Sequence, residues 1–122
     1  MINLNDLLNS KPNYTYFISE IGLNHNGSVE IAKNLITEAK NAGSDAVKFQ
    51  KRDVKNLATN KILDSEDKRF PEFGSTYREI REFIEFNKEE YLELREYSKK
   101  IGIDFICTAF DINSYKFLMN IE

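Results

Sequence analysis

The sequence has one cysteine, one histidine and no long apolar run. Because a disulfide needs two cysteines, Cys107 cannot form one within the chain, and a reducing, cytoplasmic location fits best. No apolar stretch approaches the ~20 residues that span a membrane. The first residues, MINLNDLLNSKPN, lack a basic segment followed by an apolar core, so we do not expect a secretory signal.

Charge of one sign is also scarce, since the formal net charge is only -3 and basic residues are scattered among acidic ones. This distribution argues against a nucleic-acid-binding surface. Hydrophobic residues make up 41% and charged residues 30% of the 122, which is typical of a soluble globular chain. The length suffices for one small domain but falls well short of the ~250 residues of a complete α/β barrel.

Strands and helices are predicted to alternate along the chain. Three short segments rich in apolar, β-branched or aromatic residues predict strands at 14–21, 45–50 and 103–108. Helices are predicted from Ser28 to Gly43, over 88–101 behind an Asn87–Glu90 capping box, and over 112–120 behind Asp111. Between them, 51–86 is predicted to be long and irregular, with a helical turn over 76–83.

This alternation predicts parallel strands joined by right-handed crossovers. An open α/β sheet and the first third of a (β/α) barrel both fit the pattern. In either fold the functional groups gather at the carboxyl ends of the strands. The polar residues predicted at those ends are listed in chain order: Glu20 with the loop Asn24-His25-Asn26-Gly27, then Lys48 and Gln50, then Thr108.

Lys48 is the most informative of these residues. Side chains alternate along a strand, so Val47 and Phe49 share one face while Lys48 and Gln50 share the other. If Val47 and Phe49 pack under helices, Lys48 points into the mouth of the fold. A lysine there is costly unless it meets an anion or loses its proton, and a substrate phosphate or carboxylate would supply the anion.

Simpler explanations exist for each residue. Lys48 could be only the ion-pair partner of Glu20. Asn24 and Asn26 could be turn residues that tolerate left-handed backbone. His25 alone is better explained as a loop histidine than as a metal ligand, and Cys107 as a small buried hydrophobe.

Three stretches then carry a resemblance. SEIGLNHNG, GSDAVKFQK and FGSTYREIREFIEFNKEEYLELREYSKKIGIDFICTAFD together resemble the N-terminal part of the sialic acid (N-acetylneuraminate) synthases, from about Phe17 to the end of the chain. The family usually has Ser/Thr-Pro-Phe after its third strand, where this chain has Thr108-Ala109-Phe110. That departure changes loop stiffness and leaves the candidate acids and bases unchanged.

The resemblance implies a TIM-type (β/α)8 barrel, of which residues 1–122 would be an N-terminal fragment with about three βα units and no antifreeze-like C-terminal domain. It implies condensation of phosphoenolpyruvate with an N-acetylhexosamine such as N-acetylmannosamine. By match to the motifs, Glu20 is catalytic and Lys48 binds phosphoenolpyruvate. Asn24, Asn26, Gln50 and Thr108 are expected to bind or shape the space around the substrates.

The resemblance also implies a divalent metal, Mn or Mg, with ligands outside this chain, and a homodimer for the full-length protein. Two other hypotheses stay open at this stage. One is a Schiff-base aldolase of the same fold with Lys48 as nucleophile. The other is a non-catalytic, truncated fragment, and the isolated 122 residues are expected to be inactive.

Overall fold

The computed structural model describes residues 15–121. Tyr14, the predicted start of the first strand, and residues 1–13, which are not expected to form a secretory signal, lie outside the described residues. The elements, in chain order, are β1 (Ile18–Gly22), α1 (Val29–Asn41), β2 (Ala46–Lys51), α2 (Val54–Leu57), α3 (Asn60–Leu63), α4 (Tyr77–Ile84), α5 (Lys88–Ile101), β3 (Asp104–Ala109) and α6 (Ile112–Met119).

The three strands form one parallel sheet in the order β1-β2-β3. The predicted α/β alternation and parallel pairing are therefore confirmed. The predicted bounds of the first strand, 14–21, were wrong at the start, because β1 begins at Ile18. The second and third strands each lie one residue later than predicted. Three strands do not close a barrel. Within the described residues they form an open parallel sheet with helices packed on one face.

The helix boundaries follow from local capping chemistry. Ser28 accepts a hydrogen bond from the backbone N–H of Ile31 and starts α1. Reciprocal capping boxes start α4, through Thr76 and Glu79, and α5, through Asn87 and Glu90. Because each cap is encoded within four residues, these starts were predictable from sequence.

The segment between β2 and α4 is less irregular than predicted. It contains the short helices α2 and α3, and an isolated antiparallel bridge joins Glu66 to Thr76. Helices of four residues carry no hydrophobic period, and a bridge across ten residues has no local signature, so neither was visible in the sequence.

One face of the sheet packs under the helices. Val47 and Phe49 are fully buried in the main core, as the strand alternation predicted. The core also takes Ile36 from α1 and Leu94 from α5. The opposite face of the sheet carries the polar strand-end residues, and the crossovers leave it turned away from α1 and α5.

Candidate active site at the strand ends

Glu20 lies where β1 stops being regular. It pairs with Lys48 across the ladder, but the next paired residue of β1 is Gly22, opposite Phe49, so Ile21 is an extra residue in the register. Such a bulge bends a strand and redirects its side chains, and bulges are common beside active sites. Gly22 has a φ of 57°, which a residue without Cβ adopts without strain.

The carboxylate of Glu20 and the ammonium of Lys48 form an ion pair, with 2.7 Å between Oε2 and Nζ. The ion pair that offered the simpler explanation of Lys48 is therefore present. However, the side chains keep 46% and 35% of their surfaces exposed. Pairs this exposed contribute only about 0–1 kcal/mol to stability, so stability alone gives little reason for charges at this position.

The neighbouring strands extend the same polar face. Lys48 pairs with Ile106, and Gln50 with Thr108, so the predicted residues of β2 and β3 lie side by side in register. Thr108 is exposed. Glu20, Lys48, Gln50 and Thr108 thus share one edge of the sheet, as predicted from the parallel topology.

The loop after β1 consists of consecutive tight turns. The N–H of Asn24 donates to the carbonyl of Ile21 at 3.0 Å, and the N–H of Asn26 to that of Leu23 at 3.1 Å. Asn26 has a φ of 51°, the left-handed conformation that asparagine tolerates best among non-glycine residues. Both asparagine side chains are exposed, so their contribution to the site is the shape of the loop and two accessible amides.

His25 is buried beneath this loop and is 2% exposed. Its ring stacks on Phe86 with 4.1 Å between centroids, and its Nδ1 accepts the N–H of Gly27 at 3.1 Å. Burial lowers the pKa of the imidazole to about 4, so the ring is neutral at physiological pH. These contacts make His25 a structural support of the loop.

Cys107 and Tyr91 lie on the helix-facing side of the sheet. The thiol of Cys107 lies 3.9 Å from the Tyr91 hydroxyl, and burial raises its pKa to about 12. Burial also raises the pKa of Tyr91, whose hydroxyl donates to the carbonyl of Gln50 at 2.9 Å. A thiol held in its neutral form is a poor nucleophile, as expected for a packing residue.

One side chain at this edge was missed by sequence reasoning. Arg52 donates from Nη2 to Oε1 of Gln50 at 2.6 Å, and its guanidinium lies 3.8 Å from the ring centroid of Phe110. The period of two would have placed Arg52 on the face of Lys48 and Gln50. The strand was predicted to end at 50, however, and strand ends are the least certain part of such predictions.

A cavity of about 360 Å³ borders the end of β2, and Arg52 is one of its lining residues. Its lining includes Lys51, Glu85 and Phe117, and the Lys51 ammonium is 2.9 Å from the Glu85 carboxylate. Neither Glu20 nor Lys48 lines it. Glu20, Lys48, Gln50 and Thr108 therefore lie outside this cavity.

The metal implied by the resemblance finds no complete ligand set here. Within residues 15–121 no group of three or more His, Cys, Asp or Glu side chains could hold an ion. His25 uses Nδ1 within its own loop and is stacked under Phe86. The described residues do not form a metal centre by themselves.

No helix within 15–121 combines the length and the apolar character that a membrane crossing requires.

Comparisons with known proteins agree with this geometry. The model of the NeuB family matches residues 35–122. The chain is 44% identical over 116 residues to the N-acetylneuraminate-9-phosphate synthase of Drosophila melanogaster, covering 94% of this chain and 31% of that protein. It is 36% identical over 108 residues to the N,N'-diacetyllegionaminic acid synthase of Legionella pneumophila, covering 87% and 30%.

Among solved structures, the N-acetylneuraminic acid (sialic acid) synthetase of Leptospira borgpetersenii, crystallised with citrate, matches with a TM-score of 0.68 and 31% identity. The match covers 89% of this chain and 34% of that one. The chain thus spans about a third of the length of the relatives it matches.

Proposed function

Because this chain belongs to the NeuB family, we propose that it forms the N-terminal part of an enzyme that condenses phosphoenolpyruvate with an N-acetylhexosamine. The product would be a sialic acid or a related nonulosonic acid, and phosphate would be released. In this proposal the three strands are consecutive staves of a (β/α)8 barrel, and the site is its C-terminal mouth.

The Glu20–Lys48 pair at the strand ends is the observation that carries the proposal. Phosphoenolpyruvate is a small polyanion with a phosphate and a carboxylate. Lys48 offers a partly exposed ammonium already placed next to an acid, on the face of the sheet turned away from the helices. An anion entering the mouth can take over the ammonium from Glu20, which frees the carboxylate for the second substrate.

The chain's own residues then have distinct roles in the reaction. The enol carbon of phosphoenolpyruvate attacks the aldehyde carbon of the open-chain sugar, and the aldehyde oxygen takes up a proton. Water attacks the resulting oxocarbenium carbon, and the C–O bond to phosphate breaks as that intermediate collapses to a ketone. Lys48 holds the anionic substrate and stabilises its charge. Glu20 lies in reach to exchange a proton or to position a hydroxyl.

Gln50 and Thr108 border the same space one row further toward the mouth, and Asn24 and Asn26 shape the loop at its edge. We assign these four residues to substrate binding. A divalent metal, Mn or Mg, belongs to the proposal with ligands supplied from outside residues 15–121. A cytoplasmic location and a homodimeric full-length protein are also part of it.

The similarity to a 9-phosphate synthase and to a legionaminic acid synthase supports an N-acetylated sugar as acceptor. We propose an acceptor of the N-acetylmannosamine type. An assay with N-acetylmannosamine, its 6-phosphate and a diacetylated legionaminic acid precursor would decide among these acceptors.

The test uses the complete enzyme, meaning the whole barrel that includes this chain. Incubation with phosphoenolpyruvate and each sugar should release inorganic phosphate only when both substrates are present. Borohydride added during turnover should leave Lys48 unmodified. Covalent trapping of Lys48 would instead identify a Schiff-base aldolase, and phosphate release that does not depend on any sugar would contradict the proposal.

A further inference from the structure

Gln50 is oriented by contacts on both of its polar groups. Its backbone carbonyl accepts the Tyr91 hydroxyl at 2.9 Å, and its side-chain oxygen accepts Nη2 of Arg52 at 2.6 Å. The first contact fixes the end of β2 to helix α5. The second fixes the amide, because a glutamine side chain can otherwise rotate and exchange its donor with its acceptor.

The choice between the two amide orientations follows from chemistry. A guanidinium has five N–H donors and no acceptor, so the Gln50 atom that faces Arg52 must be the oxygen. The Nε2 amine then points the other way. It approaches Gly22 and Glu20: a Cβ built on Gly22 would lie 3.4 Å from Nε2 of Gln50 and 3.5 Å from Oε1 of Glu20. The Gln50 amine, with its two N–H donors, and the Glu20 carboxylate therefore both lie next to Gly22.

Arg52 is itself held in place. Its guanidinium stacks on the Phe110 ring at 3.8 Å, and within the described residues its Nη1 is buried without a hydrogen-bond partner. Burial, and then repulsion from Arg81, lower the pKa of Arg52, so this position is electrostatically unfavourable for a cation. The stacking on Phe110 and the hydrogen bond to Gln50 together hold the guanidinium at the end of β2.

We infer that Arg52 is a positioning residue, which fixes the Gln50 amide as a hydrogen-bond donor to an acceptor oxygen of the sugar substrate. This inference rests on the proposed function. Gln50 lies two residues beyond Lys48 on the same strand, about 6.6 Å nearer the mouth. In this arrangement Lys48 binds phosphoenolpyruvate, and Gln50 contacts the sugar, which lies nearer the mouth. A carbonyl or hydroxyl oxygen would accept from Nε2.

A double-mutant cycle in the complete enzyme tests the inference. Arg52→Ala should raise the KM for the sugar about three- to tenfold, the usual effect of losing one well-placed hydrogen bond. The KM for phosphoenolpyruvate should stay unchanged. In a Gln50→Ala background the same Arg52→Ala change should have no further effect, because the residue acts through the amide.

Two further variants separate positioning from simple stability. Gln50→Glu keeps an oxygen toward Arg52 but replaces the amine by a second oxygen, so sugar binding should weaken although the contact with Arg52 becomes stronger. Lys55→Ala, at an exposed cation three residues away, is the matched control and should leave both KM values unchanged.

The inference is overturned if Arg52→Ala has the same effect with and without Gln50, or if it raises both KM values together. It is also overturned if Gln50→Glu binds sugar normally. A parent enzyme that turns over no N-acetylhexosamine with phosphoenolpyruvate would overturn the proposed function and this inference with it. Normal parent turnover with an additive cycle would overturn the inference alone.

Discussion

At the scale of single residues, the site depends on two charges that satisfy each other while no substrate is bound. Glu20 and Lys48 come from neighbouring strands and lie opposite each other in the ladder. Lys33 and Glu93 form a second ion pair of similar exposure, on the outside between α1 and α5. The two pairs are alike in geometry and differ in position, which makes the second pair a control for the first.

Lys48→Ala and Glu20→Gln should separate kinetically in the complete enzyme. The first removes a charge-assisted contact worth roughly 1.5–3 kcal/mol, so affinity for phosphoenolpyruvate should fall about tenfold or more. The second keeps the shape but removes proton transfer, so turnover should fall by roughly 10²–10⁴ with a smaller effect on phosphoenolpyruvate binding. Calorimetric titration and steady-state kinetics measure the two effects.

Lys33→Ala is the control for these variants, because it breaks an ion pair of similar exposure far from the strand ends. It should change neither quantity. Normal phosphoenolpyruvate binding by Lys48→Ala would show that the lysine serves only as the ion-pair partner of Glu20. Near-normal turnover by Glu20→Gln would show that the carboxylate takes no part in the reaction.

His25 predicts a pH dependence of stability. The pKa of His25 is about 4 in the folded chain and about 6.5 in the unfolded chain. Between these two pH values the imidazole is protonated in the unfolded state and neutral in the folded state. Stability should therefore be unaffected by this group above about pH 7 and should be lost as pH falls from about 6.5 toward 4, by roughly 3 kcal/mol in total.

In the complete enzyme, the imidazole resonance that His25→Asn removes identifies this histidine, and NMR then follows its titration. Its midpoint should lie near pH 4, and a midpoint near 6.5 would contradict the buried, neutral ring. His25→Asn removes the titrating group, so this variant should lose the part of the pH dependence that falls between 6.5 and 4.

At the scale of elements, the loop after β1 is packed against the end of helix α4. A Cβ placed on Gly27 would lie 2.5 Å from the carbonyl oxygen of Phe83, a distance that real structures do not tolerate. The ring of Phe83, in α4, also stacks on that of Phe73, with 4.9 Å between centroids. The loop that carries Asn24 and Asn26 is thus fixed by a helix more than fifty residues further along the chain.

Gly27→Ala and Gly43→Ala form a matched pair that tests this packing. Both glycines have positive φ, 75° and 86°, so each substitution carries a similar backbone cost of roughly 1–2 kcal/mol. Only Gly27 also meets an obstacle, because nothing lies within 4 Å of a Cβ on Gly43. Gly27→Ala should be more destabilising by about 1–3 kcal/mol.

Denaturant unfolding of the two variants measures the difference. Equal losses of stability would mean that the loop and α4 move apart freely. In that case α4 would not set the position of the loop.

At the scale of the whole molecule, the residues that the structure describes form a three-stranded sheet in which no further strand pairs with the outer edges of β1 and β3. Several large apolar side chains are exposed, among them Ile18 at 47% and, on the outer surface of α6, Ile112 at 72% and Tyr115 at 57%. Exposed apolar surface and unpaired strand edges favour association with other chains.

The isolated 122 residues should therefore self-associate or be poorly soluble. Sedimentation velocity should show species larger than the 14.2 kDa monomer, in proportions that rise with concentration. A monodisperse monomer with a cooperative calorimetric transition would contradict this expectation and would indicate that the open face is tolerated in water.

The sequence by itself determined the elements that depend on neighbouring residues. The caps at Ser28, Asn87 and Asp111 are local hydrogen bonds, and the glycine at position 102 ends α5 in a left-handed conformation. The period of two at Val47 and Phe49 fixed which face of β2 is buried. Local chemistry and periodicity therefore sufficed for the alternation of strands and helices and for the edge where polar residues gather.

Only the tertiary structure decided how those polar residues meet. The contact of Glu20 with Lys48 joins residues 28 positions apart, and the stacking of His25 on Phe86 joins residues 61 positions apart. Arg52 touches Phe110 only because β2 and β3 are neighbours. Pairings across such distances depend on strand register and helix packing, which the whole chain fixes cooperatively and no short stretch of sequence records.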